Sequence, residues 1–154
     1  MDIIKANIND LPAILDIQYL AYQSEAELYN DYGIPPLTQT LSELEEESKT
    51  SLILKALLNE EIVGSVRAYS SEGTCYIGRL IVHPSHQGKG IGKRLLSEAE
   101  SNFSMASRYE LFTGTRSKNN LMLYEKCGYH QFKEDELVED VTIAFLQKWQ
   151  VGEN

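Results

Sequence analysis

Residues 75–100, CYIGRLIVHPSHQGKGIGKRLLSEAE, run from a β-branched stretch through a glycine-rich loop into a helix-forming stretch, and how they are read decides the fold. The part up to Val82 reads as a strand that Pro84 ends. Ile91, Leu95, Leu96, Ala99 and Phe103 then recur at helical spacing, with Lys93, Arg94, Glu98 and Glu100 among them. Gly88, Gly90 and Gly92 stand at the helix start, where each glycine costs about 1 kcal/mol relative to alanine. An anion offers the offset. The first N–H groups of a helix lack intrahelical acceptors and carry the positive end of its dipole, so bare backbone there can hold a phosphate. Lys89, Lys93 and Arg94 add local positive charge. The plainer alternative is a tight turn whose glycines only relieve crowding.

Working outward, MDIIKA reads as a first strand, and Asn9 or Asp10 can cap a helix with Pro12 in its first turn. Its apolar face, from Leu11 to Tyr22, ends in the low twenties. Ser24–Thr40 reads as an irregular, aromatic and acidic connection, because Gly33, Pro35 and Pro36 forbid a continuous helix. LSELEEES follows as a short acidic helix capped by Thr40 or Ser42. SLILKALLN and EIVGSVRAYS form a hairpin about Asn59 and Glu60, and SSEGT turns the chain into the strand before the loop. YELFTGT, NNLMLYEKC, GYHQFKE and VTIAFLQKW complete the order β-α-α-β-β-β-α-β-α-β-β. The expected class is α/β (α+β), a mixed, mostly antiparallel twisted sheet of about seven strands flanked by about four helices.

Composition narrows the function classes. The 154 residues fit a single domain, 1–154, and 42% hydrophobic with 24% charged residues is ordinary for a globular protein. A net charge of −9 argues against nucleic acid, whose phosphates require Lys and Arg. The N-terminal stretch lacks a signal-peptide pattern, and no apolar run reaches the ~18 residues of a membrane span, so a cytoplasmic location without a membrane partner is expected. Cys75 and Cys127 are isolated thiols, so neither a disulfide framework nor a metal site is expected.

Spacing then decides which phosphate. A nucleotide loop GxxxxGK[ST] ending at Gly92-Lys93 would need Gly at Gln87 and Ser or Thr at Arg94. The dinucleotide fingerprint GxGxxG meets Lys93 or Leu95 where its last glycine belongs. What fits is Q-x-x-G-x-G, formed by Gln87, Gly90 and Gly92. With this loop the sequence resembles the GNAT superfamily of N-acetyltransferases, in order through most of the chain and most strongly from IGRLIVHPSHQGKGIGKRLL to LMLYEKCGY. The resemblance implies acetyl-CoA as cosubstrate and no metal. It implies that Gln87, Gly88, Lys89, Gly90, Ile91 and Gly92, with Lys93, hold the CoA pyrophosphate, and that Leu80, Ile81 and Val82 contact the pantetheine and acetyl group.

Moving an acetyl group from a thioester to an amine needs a polarised carbonyl, a neutral amine and a protonated leaving thiolate. By resemblance, the Val82 N–H serves the thioester oxygen and Tyr124 protonates the sulfur, whereas on spacing alone Tyr124 could simply be core. The family commonly places Asn seven residues before that tyrosine; Ser117 stands there and Asn120 follows a turn later, so either is a candidate for the pantetheine arm. Relatives often carry Glu on the strand before LIV, but Tyr76, Ile77, Gly78 and Arg79 include no carboxylate. The base must then come from elsewhere, act through water or be unnecessary; Glu25, Glu27 and Asp31 are the base or acceptor-binding candidates, or else a solvated charged face. His83, His86 and His130 are expected in solvated or structural roles. The expected activity is direct acetyl transfer to a primary amine in a ternary complex, the acceptor being a small molecule or a protein. The alternative is a CoA-binding sensor or interaction module. A monomer or homodimer is expected, with VTIAFLQKW and edge strands as the dimer candidates.

Overall fold

Turn residues set where the chain reverses. Asn59 (φ 51°) and Glu60 (φ 67°) both take left-handed backbone, so β2 (Leu52–Leu58) meets β3 (Glu61–Ser71) through a two-residue turn without glycine. Glu72 and Gly73, also left-handed, repeat the device between β3 and β4 (Thr74–Val82). The computed structural model describes residues 1–138 and 140–150. With β1 (Asp2–Lys5), β5 (Arg108–Gly114), β6 (His130–Val138) and β7 (Val141–Trp149), the strands form one sheet in the order β1-β2-β3-β4-β5-β7-β6. Among the described residues only β4 and β5 run parallel, and the helix between them supplies the crossover. VTIAFLQKW lies second from one edge, and the terminal positions belong to β1 and β6.

Each face has its own apolar cluster. Leu11, Ile14, Leu15 and Ile17 of α1 (Leu11–Ala21) and Leu44 of α4 (Leu41–Glu47) bury Ile53 of β2 and Ile81 of β4. On the other face Ile91, Leu95, Leu96 and Ala99 of α5 (Ile91–Asn102), with Tyr124 of α6 (Lys118–Lys126), cover Leu54, Val66, Ile77, Leu111 and Leu146. Burial of such side chains contributes roughly 1.5–3 kcal/mol each, which holds helices this short in place.

Two local expectations change. Ser24–Thr40 is not wholly irregular: it takes in most of α2 (Gln23–Tyr29) and the single turn α3 (Pro35–Thr38), so that the described residues form six α-helices. Ala26 is fully buried, and Asn30 (φ 48°) stops α2 as a left-handed cap before Gly33 and the prolines are reached. The first cap also moves. Asn7 caps a 3-10 turn at Ile8–Asp10, and the Asp10 carboxylate answers the Asn7 N–H at 2.8 Å and takes Lys55 Nζ at 2.7 Å. Thr40 does cap α4, in a reciprocal box with Glu43.

Candidate functional site

The parallel pair is the sheet's weak seam. β4 and β5 are in register only from Thr74–Tyr76 against Arg108–Glu110, and beyond Tyr76 the two strands part. A bulge on the β3 side adds to this, with Arg79 (φ 47°) at its centre. Val82 lies opposite Gly64 while the His83 N–H bonds the Val63 carbonyl at 2.8 Å. That makes Val82 part of a non-hydrogen-bonded pair, so its N–H and C=O turn away from β3 toward the opening. Its carbonyl there accepts from Gln87 Nε2 at 3.3 Å. The side chain of Ile81 packs under α1, whereas Leu80 and Val82 pack against the α5 cluster.

The loop follows directly. Gly88 (φ 78°) and Gly90 (φ 80°) hold left-handed backbone, and a Cβ on either would meet nothing within 4 Å. Their glycines answer a conformational demand, which rules out the crowding alternative at these two positions. Gly90 is the N-cap and Gly92 alone lies within α5, so a single helical glycine bears the propensity cost expected for three. Among the described residues, the backbone N–H groups of 88–93 have no backbone acceptor. Lys89, Lys93 and Arg94 are exposed around them. A Cβ on Gly92 would stand 3.6 Å from Leu123 and 3.8 Å from Val82, so the start of α5, the end of β4 and α6 converge there.

Where the strands part, side chains from the two faces meet. Tyr124, one residue beyond Leu123, is 6% exposed, and its hydroxyl has no hydrogen-bond partner among the described residues. Burial holds its phenol well above the ordinary pKa, and Tyr22, Glu25 and Cys127 push it the same way, so it is protonated at neutral pH. Glu25, half-buried on α2, accepts a hydrogen bond from Ser117 Oγ, which seats α2 on the segment before α6. Tyr29 reinforces this: its hydroxyl accepts from the Arg116 N–H at 2.9 Å, and Gly114 leaves the room its ring occupies. Asn120 Nδ2 donates to Thr113 Oγ1 at 3.2 Å.

Of the acidic candidates, only Glu25 reaches this cluster. Glu27 is exposed on the outer face of α2, and Asp31 Oδ1 takes the Gly33 N–H at 2.9 Å within a turn. His83 Nδ1 faces Ser85, and His130 is exposed at the start of β6. Sequence reasoning did not assign Arg79 to this place, whereas Tyr22 belongs with Tyr19, Tyr29 and Tyr32 to the aromatic residues expected to face the acceptor amine. Tyr22, at the junction of α1 and α2, is half-buried against the α1 cluster, and its loss of solvent raises its phenol pKa; Arg79 opposes that rise and Glu25 adds to it. The Arg79 guanidinium lies 6.0 Å from the Tyr22 ring centroid.

Comparisons with known proteins bear on the family and the fold. The sequence profile described as the Acetyltransferase (GNAT) family matches residues 11–129. The chain is similar to UPF0157 protein YqkA of Bacillus subtilis, 26% identical over 118 residues that are 77% of this chain and 34% of that protein. It therefore spans about a third of the length of that curated relative. Among solved structures, PaiA N-acetyltransferase from Thermoplasma acidophilum in complex with coenzyme A superposes with TM-score 0.77 at 19% identity, covering 97% of this chain and 98% of that one. The ribosomal-protein-S18-alanine N-acetyltransferase from Escherichia coli gives TM-score 0.80 at 16% identity, covering 99% and 97%. At these identities the structural likeness concerns the fold.

Proposed function

Since the chain belongs to the Acetyltransferase (GNAT) family, we propose that it transfers the acetyl group of acetyl-CoA directly to a primary amine in a ternary complex. The observation that carries this reading is the meeting at Gly92: an outward-facing Val82 N–H, a row of unengaged loop amides, and the helix bearing a protonated tyrosine. The residues fit CoA. The amides of Gly88 to Lys93, flanked by Lys89 and Lys93, suit its pyrophosphate, and the free edge of Leu80 to Val82 suits the amide-bearing pantetheine arm. Gln87 orders the loop through the Val82 carbonyl.

In the reaction, the acceptor nitrogen attacks the thioester carbon and the Val82 N–H stabilises the oxyanion that forms. As the carbon–sulfur bond breaks, Tyr124 Oη gives its proton to the departing sulfur. Glu25 is the carboxylate suited to take the proton from the amine, directly or through water, with Ser117 fixing its orientation. Neither Glu27 nor Asp31 supports the step, given where they lie. Neighbours in fold carry names such as spermidine and ribosomal-protein-alanine N-acetyltransferase, so both small-molecule and protein amines suit this architecture.

The test is release of free thiol from acetyl-CoA across a panel of amines. Tyr124→Phe is expected to lower kcat about 100-fold, with CoA affinity by calorimetry retained. Full kcat in Tyr124→Phe across pH would remove the acid role. Absence of CoA binding would remove the whole reading, and CoA binding without turnover on any amine would identify a binding module instead.

A further inference from the structure

The acceptor side of this opening contains a cation that the transfer chemistry does not use. Four of the five arginines have an oxygen partner: Arg67 pairs with Glu47, Arg108 with Glu110, Arg94 with the Met1 carbonyl and Arg116 with the Leu28 carbonyl. Arg79 has neither carboxylate nor carbonyl among the described residues, and its Nε is buried without an acceptor. It sits at the left-handed bulge of β4, three residues before Val82 on the strand that borders the opening, with its guanidinium beside Tyr22. A half-buried guanidinium without an anion is costly, and its planar fork matches a carboxylate through two parallel hydrogen bonds.

Glu25, held by Ser117, lies near both Tyr22 and Tyr124. The site thus presents a carboxylate and a guanidinium beside one half-buried tyrosine. An acceptor matching both carries an amine for the Glu25 side and an anion for Arg79. With a single unpaired guanidinium, the complementary anion is a monoanion, which makes the acceptor zwitterionic and spares it the repulsion that a protein of charge −9 exerts on anions. Resting on the acetyltransfer reading above, we propose that the acceptor is an amine with a carboxylate close to its amino group, an amino acid or a close analogue, and that Arg79 binds that carboxylate.

The experiment compares matched pairs that differ only by the carboxylate: leucine with isoamylamine, phenylalanine with phenethylamine and tryptophan with tryptamine. Thiol release from acetyl-CoA gives kcat/KM for each. The wild-type chain is expected to favour the amino acid of at least one pair by about 100-fold, the size of a charge-assisted hydrogen bond. In Arg79→Met that ratio is expected to fall toward one, through a raised KM for the amino acid, and in Arg79→Lys to lie between. Calorimetric CoA binding by each variant reports that it has folded. Equal use of both members by the wild type, or an unchanged ratio in Arg79→Met, overturns the assignment and leaves acetyl transfer standing. Absence of turnover on every member of every pair counts against the acetyltransfer reading, and the Arg79 proposal falls with it.

Discussion

Cys75 and Cys127 carry the same thiol into opposite surroundings. Cys75 is fully buried on β4, and burial, helped by the charge of Glu100, pushes its pKa up to about 12. Cys127 is half-buried at the C-terminus of α6, close to Tyr124. Only the thiolate reacts with disulfide reagents, so burial protects Cys75 twice, by access and by ionisation. At pH 8 a chromogenic disulfide reagent is expected to label one thiol per folded chain, at Cys127, and two after unfolding in urea. Prompt labelling of Cys75 in the folded protein would show that β4 opens where it parts from β5. The same contrast applies to Tyr124: an inward-facing phenol with no internal acceptor is available to donate, while Tyr129, whose hydroxyl bonds Glu100 at 2.7 Å, is committed to the core.

At the scale of elements, the loop and α5 separate two uses of glycine. Gly90 needs left-handed backbone, where a side chain costs about 1–2 kcal/mol, and Gly92 has helical backbone with ordinary contact distances awaiting a Cβ. Gly90→Ala is therefore expected to lower Tm by a few degrees and weaken CoA binding. Gly92→Ala is expected to raise Tm by about 2–4 °C, the effect of removing about 1 kcal/mol of helix penalty. Differential scanning calorimetry with and without CoA distinguishes the two; a loss of stability in Gly92→Ala would mean that Leu123 cannot give way. This loop was legible in the sequence because its determinants lie within six residues, Gln87 to Gly92, and depend on local backbone. The hairpin about Asn59 and Glu60 was legible for the same reason. α2 was not: a seven-residue helix between an aromatic junction and a Gly-Pro stretch is held by Ala26 burial and by Tyr29 reaching residues near 115, which no local pattern encodes. The Glu25–Ser117 contact joins residues 92 apart in sequence, and the place of Arg79 depends on a bulge. Spacing rules could name the carboxylates of the acidic segment but could not rank them.

At the scale of the whole molecule, protonated groups gather around two carboxylates, Glu100 and Glu25. Cys75, Tyr109 and Tyr129 surround Glu100, whose carboxylate accepts from Lys148 Nζ at 2.7 Å and from the Tyr129 hydroxyl, while Tyr22 and Tyr124 lie at the opening near Glu25. Burial comes first among the causes that raise all five pKa values, and the nearby carboxylates add to it. Each group therefore stays protonated in the folded chain at pH values where the unfolded chain has released its proton. Stability from these groups is complete below the unfolded values, about 8.5 for Cys and about 10 for Tyr, and is lost as pH rises toward the folded ones. Each such group steepens the loss by about 1.4 kcal/mol per pH unit. The urea midpoint is thus expected to be flat from pH 7 to about 8, to begin falling above about 8.5 as Cys75 contributes, and to fall sharply by about pH 10.5. In Tyr129→Phe the fall is expected to be shallower, because one coupled proton is removed, even if the midpoint at pH 7 is lower through loss of the Glu100 hydrogen bond. An alkaline slope unchanged in that variant would mean that the buried hydroxyls of the core do not govern alkaline unfolding, and that the opening beside Tyr22 and Tyr124, where the sheet parts, yields first.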